Sequence, residues 1–363
     1  MTTETLRERA PKIGAESIAL LEQLSNASGV SGDEGAVRAL VLEQVRPLAD
    51  SARVDALGNV IAFKAGTQGD RRLKVMLASH MDEVGFMISA DDGDGLFQFQ
   101  IVGGIDVRQL PGKAVLVGKE RIPGVIGARA IHLTTEEERR QAIPLNTLRI
   151  DVGPGDAAAK VQPGDRAVFA TRFQHSGPSL IGKALDNRLG VATLIELLRN
   201  PPPNIDLYCV FTTQEEIGLR GAGPAAYAIQ PDLAIAVDST PANDLPAWDG
   251  SENARYNTRV GYGPAIYSYD RGTISDPRLV AWLARVGEEH GIPFQMRQPG
   301  GGGTDAGAMH KERAGIPSIS VSVPGRHAHT AILLARTEDW DNTIKLLWVA
   351  LSSMPEDILT EER

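Results

Sequence analysis

Four stretches limit the fold more than anything else in this chain: "LKVMLAS" (73–79), "IDLYCVFTT" (205–213), "DLAIAVD" (232–238) and "IPSISVSVP" (316–324). The first three are near-continuous apolar runs of strand length, and the fourth alternates Ile and Val with serines small enough to be buried. A strand with one wet face would alternate, so these strands must be covered on both faces. The segments between them carry apolar residues at helical spacing: "DNRLGVATLIELLRN", "PAAYAIQ" and "SDPRLVAWLARVGEEHG". Two more helices are expected before the first strand, over "ESIALLEQLSNASG" and "DEGAVRALVLEQVRPLA", the latter with Asp33 as its cap, and "TEDWDNTIKLLWVALSSM" adds one at the end. "ARVDALGNVIAFKAG" reads as a hairpin, and "LKVMLASHMDEVGFMI" as one strand. The expected fold is α/β, a mostly parallel sheet flanked by helices.

From about Phe86 to Gly177 the pattern changes. Short β-type runs ("LFQFQIVGG", "KAVLVG", "IPGVIGA", "LRIDVG", "RAVFAT") are separated by Gly, Pro and Asp turns, and only the charged "TTEEERRQ" interrupts them. This predicts a small all-β module, barrel or PDZ-like, inserted at 86–177 into a larger unit made of 1–85 and 178–363. A chain of 363 residues has room for both.

The net charge of -9 argues against a nucleic-acid binder, which needs a basic face. Cys209 is the only cysteine, so internal disulfides and cysteine metal sites are excluded, and it reads as a buried, inert thiol. No run reaches the ~20 apolar residues of a membrane span, and the N-terminal stretch has no apolar signal core. A cytoplasmic protein is expected.

The polar residues fall in a pattern. His80 and Asp82 follow the first apolar run, Glu215 and Glu216 the second, and Asp238 ends the third. His329 lies just past the fourth, and Asp186 opens a helix. In open α/β sheets the site lies outside the carboxyl ends of the strands. Singly, each residue has a plainer reading: Asp186 as a helix cap, Asp238 as a turn residue, His80 as a core histidine, the glutamates as a solvated loop start. Together at one rim they form an N/O donor set without sulfur, suited to Zn²⁺, Co²⁺ or Mn²⁺. Five ligands exceed what one catalytic zinc uses and suit two ions sharing a carboxylate.

With these segments in view, the chain resembles the M42 metallo-aminopeptidases, which include the tetrahedral TET aminopeptidases and some members called endoglucanases. "SHMDEVGFMI", "GKALDNRLG", "TTQEEIGLRGA", "AVDSTPANDLP", "GGGTDAGAMH" and "VPGRHAHT" look like that family's segments, in order, from about Leu20 to Ser352. The resemblance implies two divalent metal ions per subunit. Asp186 would bridge them, His80 and Asp238 would complete one, and Glu216 and His329 the other. Glu215 would be the general base and Asp82 the carboxylate that holds the His80 ring. A cis peptide at Asp186–Asn187 is also implied. The family usually has Arg-Tyr-x-His where this chain has Arg326-His327-Ala328-His329, so a role for His327 beside His329 stays open. His132, His175, His290 and His310 match no ligand position.

The implied activity is removal of N-terminal residues from short peptides, by a homo-oligomer built from dimers, with a tetrahedral dodecamer as the larger form. "GGGGTDAG" lacks the Gly-Lys-Ser/Thr ending of a phosphate loop, and Thr304 and Asp305 are expected near the substrate's first side chain. No Gly-x-Ser-x-Gly elbow is present. The alternatives are a two-metal amidohydrolase or deacylase acting on acyl-amino acids, a glycoside hydrolase, and a metal-binding scaffold without turnover.

Overall fold

The computed structural model describes residues 3–69, 71–251, 253–254, 257–298 and 300–360; the ends of the predicted larger unit, 1–2 and 361–363, lie outside these. In chain order the strands are β1 (Ser51–Val54), β2 (Val60–Lys64) and β3 (Leu73–His80), followed by β4 (Gly85–Gly93), β5 (Leu96–Val102), β6 (Ala114–Val117), β7 (Ile122–Gly127), β8 (Arg149–Asp151) and β9 (Arg166–Phe169). Then come β10 (Gln174–Ser176), β11 (Ser179–Gly182), β12 (Ile205–Thr212), β13 (Leu233–Pro241), β14 (Ala265–Ile266), β15 (Gln295–Met296), β16 (Ser318–Gly325) and β17 (Leu333–Arg336).

The large sheet has the order β1-β2-β12-β3-β13-β16-β14-β15. Its four central strands, β12-β3-β13-β16, are parallel, as the unbroken apolar runs require. Its flanks are not. β2 pairs antiparallel with both β1 and β12, and β14 pairs antiparallel with β16. The sheet is therefore mixed, parallel at its centre and antiparallel at its flanks, one of which holds the β1–β2 hairpin read from the sequence. The reason is connection length: β1 and β2 are joined by Asp55–Asn59, where Asp55 Oδ1 accepts from the amides of Leu57 and Asn59, each at 3.0 Å. So short a link permits only an antiparallel partner.

Side chains alternate between two buried faces. Leu77, Leu207, Cys209, Val237 and Val321 pack against helices Ala15–Asn26, Gly35–Val45, Leu185–Arg199, Pro277–Glu289 and Thr337–Ser352. On the opposite face the strands carry smaller residues, Ala78, Ala234 and Ala236 with Met76 and Val210. The short helices Ala222–Ile229 and Ala306–Met309 lie there. Small residues let those helices approach closely, so this face is the thinner of the two.

The chain leaves the large sheet at His80 and starts β4 at Gly85, so the single strand predicted over 73–88 is two. β4 to β9 form a closed barrel, order β4-β5-β8-β7-β6-β9, with every pairing antiparallel. Its interior is apolar, centred on Phe86, whose ring meets those of Phe99 and Phe169 edge-on at 5.3 and 5.2 Å. Closure removes the free edges a six-stranded antiparallel sheet would otherwise expose. β10, β11 and β17 form a separate three-stranded sheet that no sequence pattern announces.

Candidate active site

Strand register places the rim residues. In β12 and β3, Val210 is opposite Ala78 and Thr212 opposite His80. In β13, Ala236 is opposite Ala78 of β3, and Asp238 is opposite Ser322 of β16. Two residues on from the small apolar row, each strand therefore presents a polar side chain on the same face: Thr212, His80, Asp238 and Ser322. The period of two turns a floor of Ala and Val into a row of chemistry at the sheet's carboxyl edge.

Asp186 reaches that row from the other side of the sheet. It begins helix Leu185–Arg199, but with φ -82° and ψ 104° its backbone is not helical, and the Asp186–Asn187 peptide is cis, as the resemblance implies. Asp186 caps no amide; the N-cap is Ala184. Asn187 is buried and anchors the segment, its Nδ2 donating to Ser79 Oγ at 3.0 Å and Val237 O at 2.9 Å.

Asp82 is fully buried and holds several groups at once. Its carboxylate accepts from the Glu215 amide at 3.0 Å, the Glu216 amide at 3.1 Å and Ser31 Oγ at 2.5 Å. His80 Nδ1 lies 3.2 Å from the Asp82 carbonyl and 3.5 Å from Asp82 Oδ1. Acceptors on that side hold the proton on Nδ1 and leave Nε2 with its lone pair. That Nε2 is 3.4 Å from Asp186 Oδ1 and 3.5 Å from Asp238 Oδ1.

His329 repeats the arrangement. Its Nδ1 faces the carbonyl of Gly104 at 2.9 Å, in the loop following β5 of the barrel. Its Nε2 is 3.7 Å from Asp186 Oδ2 and 3.6 Å from Glu216 Oε2. Asp186 thus turns one oxygen toward each imidazole. Two triads of donor atoms lie within 4.8 Å of one another: His80, Glu215 and Asp238, and His80, Asp186 and Glu216. His329 itself has φ +57°, and Gln214 before the glutamates has φ +56°. Left-handed non-glycine residues are uncommon and concentrate at functional sites. His327 (φ +66°) is exposed, and its carbonyl accepts from Thr330 Oγ1 at 2.9 Å.

The electrostatics are those of an acid cluster short of positive charge. Burial raises the proton affinity of Glu215 well above the usual carboxylate range; His80 opposes this, and Asp238, Asp305 and Glu216 add to it. Glu216 is pushed up to about 8, by burial first and then against the pull of His329. Asp238 is raised by burial, although His80 opposes it. Burial works against a charge on His80, yet Glu215 and the hydrogen-bonded Asp186, Asp238 and Asp82 carry its pKa well above the ordinary histidine value. Asp82 is the exception: burial opposes its charge, but His80, Ser31 and the Glu215 amide hold it below the usual range. Carboxylates and imidazoles that would otherwise retain protons fit divalent cations, which replace those protons and take up the donors they release.

Thr304 and Asp305 are each 2% exposed. Thr304 Oγ1 meets Ser320 Oγ at 2.6 Å, and Asp305 Oδ2 accepts from Thr212 Oγ1 at 2.5 Å. They lie beneath the polar row rather than along an open wall. Burial pushes the Asp305 carboxyl up to about 7, and its Oδ1 has no hydrogen-bond partner. Asp33 does not cap the second helix; Glu34 occupies that position without a side-chain cap bond. Its Oε1 instead accepts from the amides of Gly32 at 2.7 Å and Gln214 at 3.2 Å, steadying the approach to Glu215. Ser31, Glu34 and Gly104 escaped the sequence reading, because a loop serine or glycine has no periodicity to betray it. Asn187 lay inside a recognised segment but received no role.

Imidazoles and carboxylates thus converge at the sheet's carboxyl rim, beside the barrel. The chain belongs to the M42 peptidase family: the family profile described as M42 glutamyl aminopeptidase matches residues 58–346. The lysyl aminopeptidase of Pyrococcus furiosus is 32% identical over 346 residues, which are 92% of this chain and 96% of that protein. Among solved structures, the aminopeptidase APDkam598 of Desulfurococcus kamchatkensis is 32% identical with a TM-score of 0.88, covering 95% of this chain and 97% of that one. The TET1 peptidase of Pyrococcus horikoshii, described as assembling into a tetrahedron or a large octahedral shell, is 30% identical with a TM-score of 0.79, covering 93% and 100%. The family is one of metal-dependent peptide hydrolases. Among the described residues, no helix is long and apolar enough to cross a membrane.

Proposed function

We propose that the protein is a two-metal aminopeptidase that removes N-terminal residues from short peptides. The observation that carries this reading is Asp186, with one oxygen toward His80 Nε2 and the other toward His329 Nε2, beside Glu215. Asp186 would be shared by two ions, His80 and Asp238 completing one site and Glu216 and His329 the other. Zn²⁺, Co²⁺ or Mn²⁺ suits these donors. When bound, such ions lower the pKa of a water and polarise the scissile carbonyl.

The chain's own groups do the rest. Glu215 takes the proton of the attacking water and returns it to the leaving amine. Asp82 keeps the His80 ring in one orientation and aligns the Glu215 and Glu216 backbone through two amides. Thr304 and Asp305 form the floor beneath the pocket for the first side chain. The β module of 86–177 reaches the site of the 1–85 and 178–363 unit through Gly104, and contacts between such modules would build a homo-oligomer, from dimers up to a tetrahedral dodecamer; the P. horikoshii relative is described as assembling into a tetrahedron or a large octahedral shell. A closed shell would admit only short or unfolded peptides.

The test is a panel of aminoacyl-p-nitroanilides and their N-acetylated counterparts, assayed after chelation and after return of Zn²⁺, Co²⁺ or Mn²⁺. Cleavage of the free-amine substrates, lost on chelation and restored by metal, is expected. Preference for the acetylated set would identify a deacylase instead, and chelator-resistant cleavage of cellulose would overturn the reading.

A further inference from the structure

Behind the polar row lies an ion cluster that the proposed mechanism does not use. Glu83 is 2% exposed, Lys183 2% and Arg188 0%. Lys183 Nζ donates to both Glu83 oxygens, at 2.8 and 2.9 Å, and Arg188 Nη2 lies 3.3 Å from Glu83 Oε1. The remaining donors go to main chain: Lys183 Nζ to Ala27 O at 2.7 Å, Arg188 Nε to Leu24 O at 3.2 Å, and Arg188 Nη1 to Met81 O. Glu83 Oε1 also accepts from the Gly29 amide at 3.0 Å.

The location of these bonds matters more than their number. Met81 and Glu83 flank Asp82, the residue that orients His80 and receives the Glu215 and Glu216 amides. Lys183 and Arg188 bracket Asp186. One buried cluster therefore ties the segment bearing His80 and Asp82 to the segment bearing Asp186, with the end of helix Ala15–Asn26 and the turn after it as a third anchor. It places two cations against one carboxylate, directly behind a site crowded with acids. Burying three charges is costly, and apolar residues of similar volume would hold the same core at least as well. A purely structural account therefore leaves the charges unexplained.

We propose that Lys183, Glu83 and Arg188 are positioning residues that hold the two halves of the metal site in register before any ion binds. The inference rests on the two-metal reading above.

Three variants test it: Glu83→Gln, the paired Glu83→Gln/Lys183→Met, and Arg188→Lys. Zn²⁺ affinity is measured by competition with a chelating dye, and thermal unfolding is followed on the same metal-depleted samples. Glu83→Gln leaves two buried cations unpaired and is expected to lower Tm. The paired variant removes one cation with the carboxylate and is expected to regain most of that Tm, while binding Zn²⁺ about 10–100-fold more weakly than wild type, the usual effect of losing a support behind metal ligands. Arg188→Lys keeps the charge but loses the fork that spans Met81 O and Glu83, and a smaller loss of affinity in a stably folded protein is expected. Wild-type Zn²⁺ affinity in both the paired variant and Arg188→Lys would overturn the inference. A wild-type chain that takes up no divalent ion would overturn the two-metal reading itself, and this inference with it.

Discussion

Glu215 and Glu216 are neighbours in sequence with opposite assignments. Both amides bind the Asp82 carboxylate, yet only the Glu216 carboxylate meets His329, while that of Glu215 lies with His80 and Asp238. Their replacement should therefore diverge. Glu215→Gln is expected to retain metal content by elemental analysis and lose roughly 10²–10⁴ in kcat. Glu216→Gln is expected to lose metal first, with activity recovering at high metal concentration. Full activity in Glu215→Gln would refute the base assignment. The pH response of the metal-depleted protein follows from the same groups. Burial pushes Glu216 up to about 8 in the folded chain against an ordinary 4.5, so between those values folding takes up a proton and stability falls as pH rises. His80 and His329 are also raised, so the stability they contribute below their ordinary range is lost on the alkaline side, with the same sign. Tm of the chelated protein should fall from about pH 6 to pH 9, and added divalent ion should flatten that slope by replacing protons. A chelated protein whose Tm rises over this range would contradict the account.

The helix Leu185–Arg199 does the most to bring the far side of the sheet to the site. It can lie close because Gly190 faces the strands: a Cβ there would stand 2.3 Å from Ser79 Oγ, 2.4 Å from Asn187 Oδ1 and 2.5 Å from Val237 O. Those are the groups that anchor Asn187 beside Asp186. Gly190→Ala is expected to cost about 1–3 kcal/mol by urea unfolding and to lower activity as well, since the helix must shift at its Asp186 end. Unchanged stability would mean the helix has slack that these distances do not show. This helix and the central strands were legible in sequence, because 15 helical and 8 or 9 strand residues give periodicity room to show. β10, β11 and β17, with 3, 4 and 4 residues, are too short for a pattern to stand out from chance. Of the antiparallel flanks, the β1–β2 hairpin was legible, while the β14–β16 pairing was not: strand direction is a property of connections, which apolar content does not encode.

Across the whole molecule, barrel and sheet are coupled by backbone as well as covalently. The Gly104 carbonyl fixes the His329 ring, and a Cβ on Gly103 would stand 3.4 Å from that of Glu216. A shift of the barrel would therefore be felt at the site, and an assembly built through the barrel would tune it. Light scattering coupled to size exclusion is expected to give a dimer or a dodecamer; a monomer fully active on peptides would remove the assembly from the account.

The sequence by itself determined which strands are buried on both faces and which residue types stand at the strand ends. Those follow from local periodicity and from the chemistry of single side chains. Only the tertiary structure decided that Thr212, His80, Asp238 and Ser322 share one row, that Asp186 divides its oxygens between two imidazoles, and that His329 rather than His327 faces them. It also buried Thr304 and Asp305, bonded to Ser320 and Thr212. Register, crossing helices and the direction of a side chain depend on packing between segments a hundred or more residues apart, and no window along the chain contains that information.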